Sequence, residues 1–132
     1  MRGQVLHNHI ASEIKAACDR LSIRSKLEYP VCTDKAKVYF DVAAWINGSF
    51  MACEVETTIR RVIHNVEKAH MAGAELWLVV PTRKLKRQIA NKLRKIETKP
   101  SGKEIKLLLL DEVSSELMNK LSLSIPANSV NE

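Results

Sequence analysis

Residues 41–56 read Asp41-Val42-Ala43-Ala44-Trp45-Ile46-Asn47-Gly48-Ser49-Phe50-Met51-Ala52-Cys53-Glu54-Val55-Glu56. Asn47-Gly48 is a two-residue turn of the kind that closes a β-hairpin. Lys37 to Ile46 and Ser49 to Val55, on either side of it, are rich in β-branched and aromatic residues. Counting back from the turn, Ile46 pairs with Ser49, Trp45 with Phe50, Ala44 with Met51, Ala43 with Ala52 and Val42 with Cys53. The next pair is Asp41 with Glu54, and Tyr39 then meets Glu56. Directly opposed residues share a face, with Cβ atoms about 4.5–5.5 Å apart. Two carboxylates therefore face each other in strands that read as central.

Opposed like charges destabilise a sheet, and burial adds a desolvation cost. A divalent cation between Asp41 and Glu54 would offset both. Oxygen-only ligation suits Mg²⁺ or Mn²⁺, which take one or two carboxylates with water and phosphate. Two alternatives stay open: a bulge that slips the register, or Arg60 or Arg61 pairing with the acids. Glu13 lies on the row Leu6, Ile10, Glu13, Ala17, with His9 one turn before it. It is either a third site carboxylate or a surface residue at the edge of the core-facing stripe.

Outward from the hairpin the order is αβββαβαβα. Leu6, Ile10, Ile14, Ala17 and Leu21 recur at helical spacing and predict a helix over 5–21. A strand follows from Arg24 to Val31. Beyond the hairpin, Thr57-Thr58 is the expected cap of a helix with the stripe Ile59, Val62, Ile63, Val66 and Ala69, ending at Gly73. Glu75 to Val80, stopped by Pro81, reads as a strand buried on both faces. Thr82 caps a helix with Leu85, Ile89, Leu93 and Ile96 inside, broken by Pro100-Ser101-Gly102. Ile105 to Leu110 is a further strand, and Asp111 to Leu121 a short helix. The expected fold class is α/β: one three-layer domain over 1–121, a mixed sheet with a leading hairpin flanked by helices, and a polar tail over 122–132.

The chain has 132 residues, 45% hydrophobic and 27% charged, the size and balance of one globular domain. No apolar run approaches the roughly 20 residues of a membrane span, and the start lacks a signal-peptide h-region. The expectation is a soluble, cytoplasmic protein with no membrane partner. Cys18, Cys32 and Cys53 lack Cys-x-x-Cys spacing, which favours buried free thiols over disulfides or structural zinc. Net charge is +6, and between Arg83 and Lys106 ten basic residues stand against Glu97 and Glu104. Such a one-sided face is the footprint of a phosphate-backbone binder or an ordinary solvated helix face. Lys84, Arg87, Arg94 and Lys95 carry the binding alternative. No aromatic stacking platform is evident in the sequence, which argues against single-strand binding by base stacking.

The αβββαβ order, Asp41 ending a strand after a polar turn, and Glu54-Val55-Glu56 in the next strand resemble the PD-(D/E)XK nuclease superfamily. This restriction-endonuclease-like fold is shared with Holliday-junction resolvases, and the resemblance covers roughly residues 5–97. It implies that Asp41 is the motif acid, Glu54 the glutamate of the E-x-K signature, and Glu13 the helix-one glutamate of many members. Glu56 stands where the E-x-K lysine belongs, so the chain departs from the pattern there. Members that move the cation to the following helix resemble Glu54-Val55-Glu56-Thr57 followed by Asn65-x-x-Lys68. Arg61, Asn65 and Lys68 share one helical face, yet Lys68 would sit about 15 Å along a helix begun at Thr58. Lys68, Arg60 and Arg61 all stay open as the donor.

The resemblance implies a Mg²⁺-dependent (or Mn²⁺-dependent) endonuclease acting on DNA, with Glu56 accepting a proton or aiding the metal. Arg61, Asn65 and the basic helix would hold phosphates. It also implies a homodimer, because two strands need two sites. The alternatives are a non-catalytic nucleic-acid-binding module and a protein-interaction domain on the same fold.

Overall fold

The structure is a computed structural model and describes residues 2–96 and 105–123. Its elements in chain order are α1 (Arg2–Arg20), β1 (Arg24–Cys32), β2 (Lys37–Ile46), β3 (Ser49–Val55), α2 (Val62–Ala72), β4 (Glu75–Val80), α3 (Arg83–Arg94), β5 (Ile105–Leu109) and α4 (Val113–Leu123). A 3₁₀ turn over Leu110–Glu112 leads into α4. The strands form one mixed sheet in the order β1-β2-β3-β4-β5. β2 is antiparallel to both β1 and β3, whereas β3, β4 and β5 run parallel, joined by α2 and α3. This is the expected α/β architecture.

Two apolar clusters make the three layers. Ile10, Ile14, Ala17, Val113 and Leu117 from α1 and α4 pack on Val42, Ala44, Met51, Cys53 and Trp77. Val62, Val66, Ala69, Leu85 and Ile89 from α2 and α3 pack on Phe40, Ala52, Leu76 and Leu78 across the sheet. β4 contributes to both, as its unbroken apolar run requires.

The hairpin register holds from Ile46↔Ser49 to Val42↔Cys53. Asn47 and Gly48 both take positive φ, 52° and 85°, the backbone of the tight turn that Asn-Gly favours. Thr82 caps α3 by accepting from the Leu85 N–H at 3.2 Å, and α2 ends on Gly73 at φ 66°.

Four expectations need correction. α2 starts at Val62 with no side-chain cap; Thr57 to Arg61 is a turn in which Thr58 Oγ1 accepts from the Arg60 N–H. The ladder of β2 and β3 ends before Asp41 and Glu54. Cys32 is exposed, and only Cys18 and Cys53 are buried. The last helix runs on to Leu123, past the expected start of the tail. The break at Pro100-Ser101-Gly102 and the tail after 123 lie outside the described residues. No helix among the described residues is long and apolar enough to cross a membrane.

Candidate functional site

A cavity of about 310 Å³ opens where β3 runs out into α2, lined by His7, Asp41, Glu54, Val55, Glu56, Thr57, Thr58, Arg61, Asn65 and Lys68. Its floor comes from a fault in the sheet. β1 and β2 pair Leu27 with Val42 and Tyr29 with Phe40 but skip Glu28 and Asp41. Glu28 has φ 47°, a left-handed conformation that breaks the pleat. Side-chain alternation reverses there: Val42 packs with α1, whereas Phe40, two residues earlier, packs under α2.

At the same level β2 and β3 exchange side chains instead of ladder bonds. The Asp41 N–H donates to Glu54 Oε1 at 3.0 Å, and the Val55 N–H donates to Asp41 Oδ2 at 2.8 Å. The two carboxylates thus satisfy backbone donors that the ladder would otherwise have paired. Glu54 is 1% exposed and Glu56 3% exposed, both on the α2 side of β3.

α2 supplies the polar partners. Lys68 forms an ion pair with Glu54 Oε2 and donates to the Tyr39 carbonyl at 2.6 Å. Its ammonium lies 5.1 Å from the Phe40 ring centre, a cation–π contact. Asn65 Nδ2 donates to Glu56 Oε2. The late start of α2 explains the reach: Lys68 is six residues past Val62, about 9 Å of helical rise. Among the candidate cations it is thus Lys68 that meets the buried acid, while Arg61 is exposed at the rim of the cavity.

Electrostatics follow from burial. Loss of water, reinforced by the charge of Asp41, pushes the Glu54 carboxyl up to about 8 despite the opposing pull of Lys68. Burial also raises Glu56, opposed by the Asn65 hydrogen bond. Glu54 Oε2 meets Lys68 as an ion pair without a well-directed hydrogen bond.

α1 contributes His7, not Glu13. His7 Nε2 is 3.1 Å from Asp41 Oδ2. His7 lies on the row His7, Ile10, Ile14, one turn ahead of two buried isoleucines, and this spacing was the signal that could have found it. Glu13 is six residues on, on another side of the helix. It lines a separate cleft of about 560 Å³ with Arg20, Arg83 and Asp111 and is not brought to Asp41. His9 is exposed.

Among the described residues no group of three or more His, Cys, Asp or Glu side chains forms a metal-ligand set. The two carboxylates that do converge match what Mg²⁺ takes from a protein, one or two acids with water and phosphate completing the shell. Asp41 and Glu54 thus fit a hard divalent cation in number and in donor type.

The basic face is a separate surface. Lys84, Arg87 and Arg94 on α3 and Lys95 at its C-terminal cap are all exposed, while Leu85 and Ile89 are buried. Arg94 bonds Asn91 on its own helix. Lys86 pairs with Glu112 at 2.8 Å and Lys106 with Glu116 at 3.6 Å, so part of the run is spent inside the protein.

A crystal structure of a protein of unknown function, AF1548, is similar to this chain, with a TM-score of 0.56 and 13% identity. The match covers 92% of this chain and 74% of that one. At that identity the likeness bears on the fold alone. No protein-family model and no curated protein matches the chain.

Proposed function

We propose that this chain is a Mg²⁺- or Mn²⁺-dependent nuclease of the PD-(D/E)XK type that hydrolyses DNA phosphodiesters. The observation that carries the proposal is the cluster of half-buried Asp41 with buried Glu54 and Lys68, in which a lysine from α2 stands beside the signature glutamate. A metal held by Asp41 and Glu54 would supply a Lewis acid for the phosphate and a more acidic bound water. Lys68 places a positive charge where negative charge develops on the phosphoryl oxygens, and the Tyr39 carbonyl fixes its direction. Glu56, its carboxyl raised by burial and oriented by Asn65, would exchange a proton with water at its carboxyl oxygens. Exposed Lys84, Arg87, Arg94 and Lys95 attract the backbone without sequence preference.

One observation favours a second reading, a DNA-binding module that does not cut. Both Glu54 oxygens are engaged inside the protein, one by the Asp41 N–H and one by Lys68. Incubating pure protein with duplex, branched and single-stranded DNA in Mg²⁺ and in Mn²⁺ separates the two. The nuclease reading expects cleavage of one form that EDTA abolishes and Asp41→Asn lacks. Binding to every form without any cut would favour the module.

A further inference from the structure

The sheet carries an aromatic surface away from the cavity. Tyr29, Trp45 and Phe50 stand side by side on β1, β2 and β3, each half-buried. Trp45 and Phe50 are a cross-strand pair with ring centres 5.6 Å apart, and Tyr29 meets Trp45 edge-on at 5.0 Å and Phe50 at 6.1 Å. Phe40, fully buried, touches Phe50 at 6.0 Å and roots the group in the core. The expectation that no stacking platform exists is thereby corrected: the rings are far apart in sequence and adjacent in the sheet.

Cations share this surface. Arg24 is opposite Trp45 and Lys26 opposite Ala43, so both lie on the same face as the rings. Both are exposed. The Arg24 guanidinium lies 4.5 Å from the Trp45 ring centre. Flat rings beside flexible cations are complementary to bases on a phosphate chain, since every base has a π-face and stacking tolerates sequence. An apolar partner would leave Arg24 and Lys26 uncompensated, which favours an anionic polymer.

We infer that the face formed by Arg24, Lys26, Tyr29, Trp45 and Phe50 stacks the unpaired bases of a single-stranded nucleic-acid segment. The inference rests on the nuclease reading only for the kind of polymer. Phe50, Ala52 and Glu54 alternate onto the same side of β3, so the rings lie about 13 Å from the carboxylates.

Trp77 is fully buried, so a change in tryptophan emission on binding reports Trp45. The experiment titrates oligo-dT, and separately a duplex, into the full chain in EDTA, where no cut can occur. Oligo-dT should quench the emission of the wild type, and in anisotropy titrations of end-labelled DNA Trp45→Leu should bind oligo-dT about 10-fold more weakly, the scale of removing one stacking partner, with duplex affinity unchanged. If Trp45→Leu does not fold, Arg24→Ala, at an exposed position, should weaken oligo-dT binding selectively in its place. Saturating oligo-dT without any change in emission, no oligo-dT binding, or equal weakening toward duplex would overturn the inference. Emission that shifts with protein concentration alone would overturn it too, assigning the face to a second copy of the chain. Because the assay contains no metal, its outcome is independent of whether the protein cleaves.

Discussion

Moving a lysine and a glutamate out of water costs several kcal/mol per ion, and removing one partner leaves the other uncompensated. Lys68 and Glu54 accept that cost at 8% and 1% exposure, in a cluster where Asp41 adds a second negative group. The consequence for Glu54 can be read in stability. Its carboxyl is raised in the folded chain from 4.5 to about 8, so the folded state holds its proton more tightly than the unfolded one. The resulting stabilisation is complete below the unfolded value and is lost as pH rises through about 8. Glu54→Gln, which cannot ionise, should gain on the wild type between about pH 5 and about pH 9 when both are unfolded with urea in EDTA. A stability difference that stays constant with pH would remove the buried charge from the account. For Asp41 the prediction concerns metal. A cation bound only to the native state at a hundred times Kd stabilises it by about 2.7 kcal/mol. Millimolar Mg²⁺ or Mn²⁺ should therefore raise the melting temperature of the wild type, and Asp41→Asn should abolish the shift. Without metal the variant should melt no lower than the wild type if relief of the repulsion with Glu54 outweighs the weakened bonding to Val55 and His7. Equal metal shifts in both proteins would discharge Asp41 as a ligand.

At the scale of elements, strands and helices were legible wherever composition and turn chemistry agreed. Asn47-Gly48 gave the hairpin and its register, Thr82 and Gly73 gave helix ends, and the apolar run of β4 gave its burial. The site was legible in its acids, because pairing from a known turn carries Asp41 to Glu54. Its details were not. A left-handed Glu28 on another strand produces the fault at Asp41, and no local pattern announces it. Nor does Thr58 reveal that its hydroxyl serves a turn rather than a helix cap, which shortens the reach to Lys68. α3 carries its own prediction. Its inner face is held by Leu85 and Ile89, so changing the exposed side should leave the fold intact. Lys84, Arg87, Arg94 and Lys95 replaced together by Ala should weaken DNA binding alike for unrelated sequences. The slope of log affinity against log salt should flatten by about 0.9 for each phosphate that is no longer neutralised. Unchanged affinity and slope in a salt titration would leave these residues as a solvated face.

For the whole molecule, topology assigns the work. The antiparallel half, β1 to β3, carries the rings and Asp41, whereas the parallel half and its crossover helices supply Lys68, Asn65 and the basic face. The cavity lies where the two halves meet, at the end of β3, as ligand sites in open α/β sheets lie beyond strand ends. The central claim is that this junction is catalytic and that a helix-borne lysine serves it. The measurement that tests it most directly is single-turnover DNA cleavage in Mg²⁺ by wild type and Lys68→Ala, with DNA affinity and melting temperature taken on the same samples. The account predicts a rate at least about 10²-fold lower for Lys68→Ala, the scale of removing one preorganised charge, with DNA affinity nearly intact and the variant still folded. Equal rates in the two proteins, or a wild type that cuts no DNA form, would contradict it.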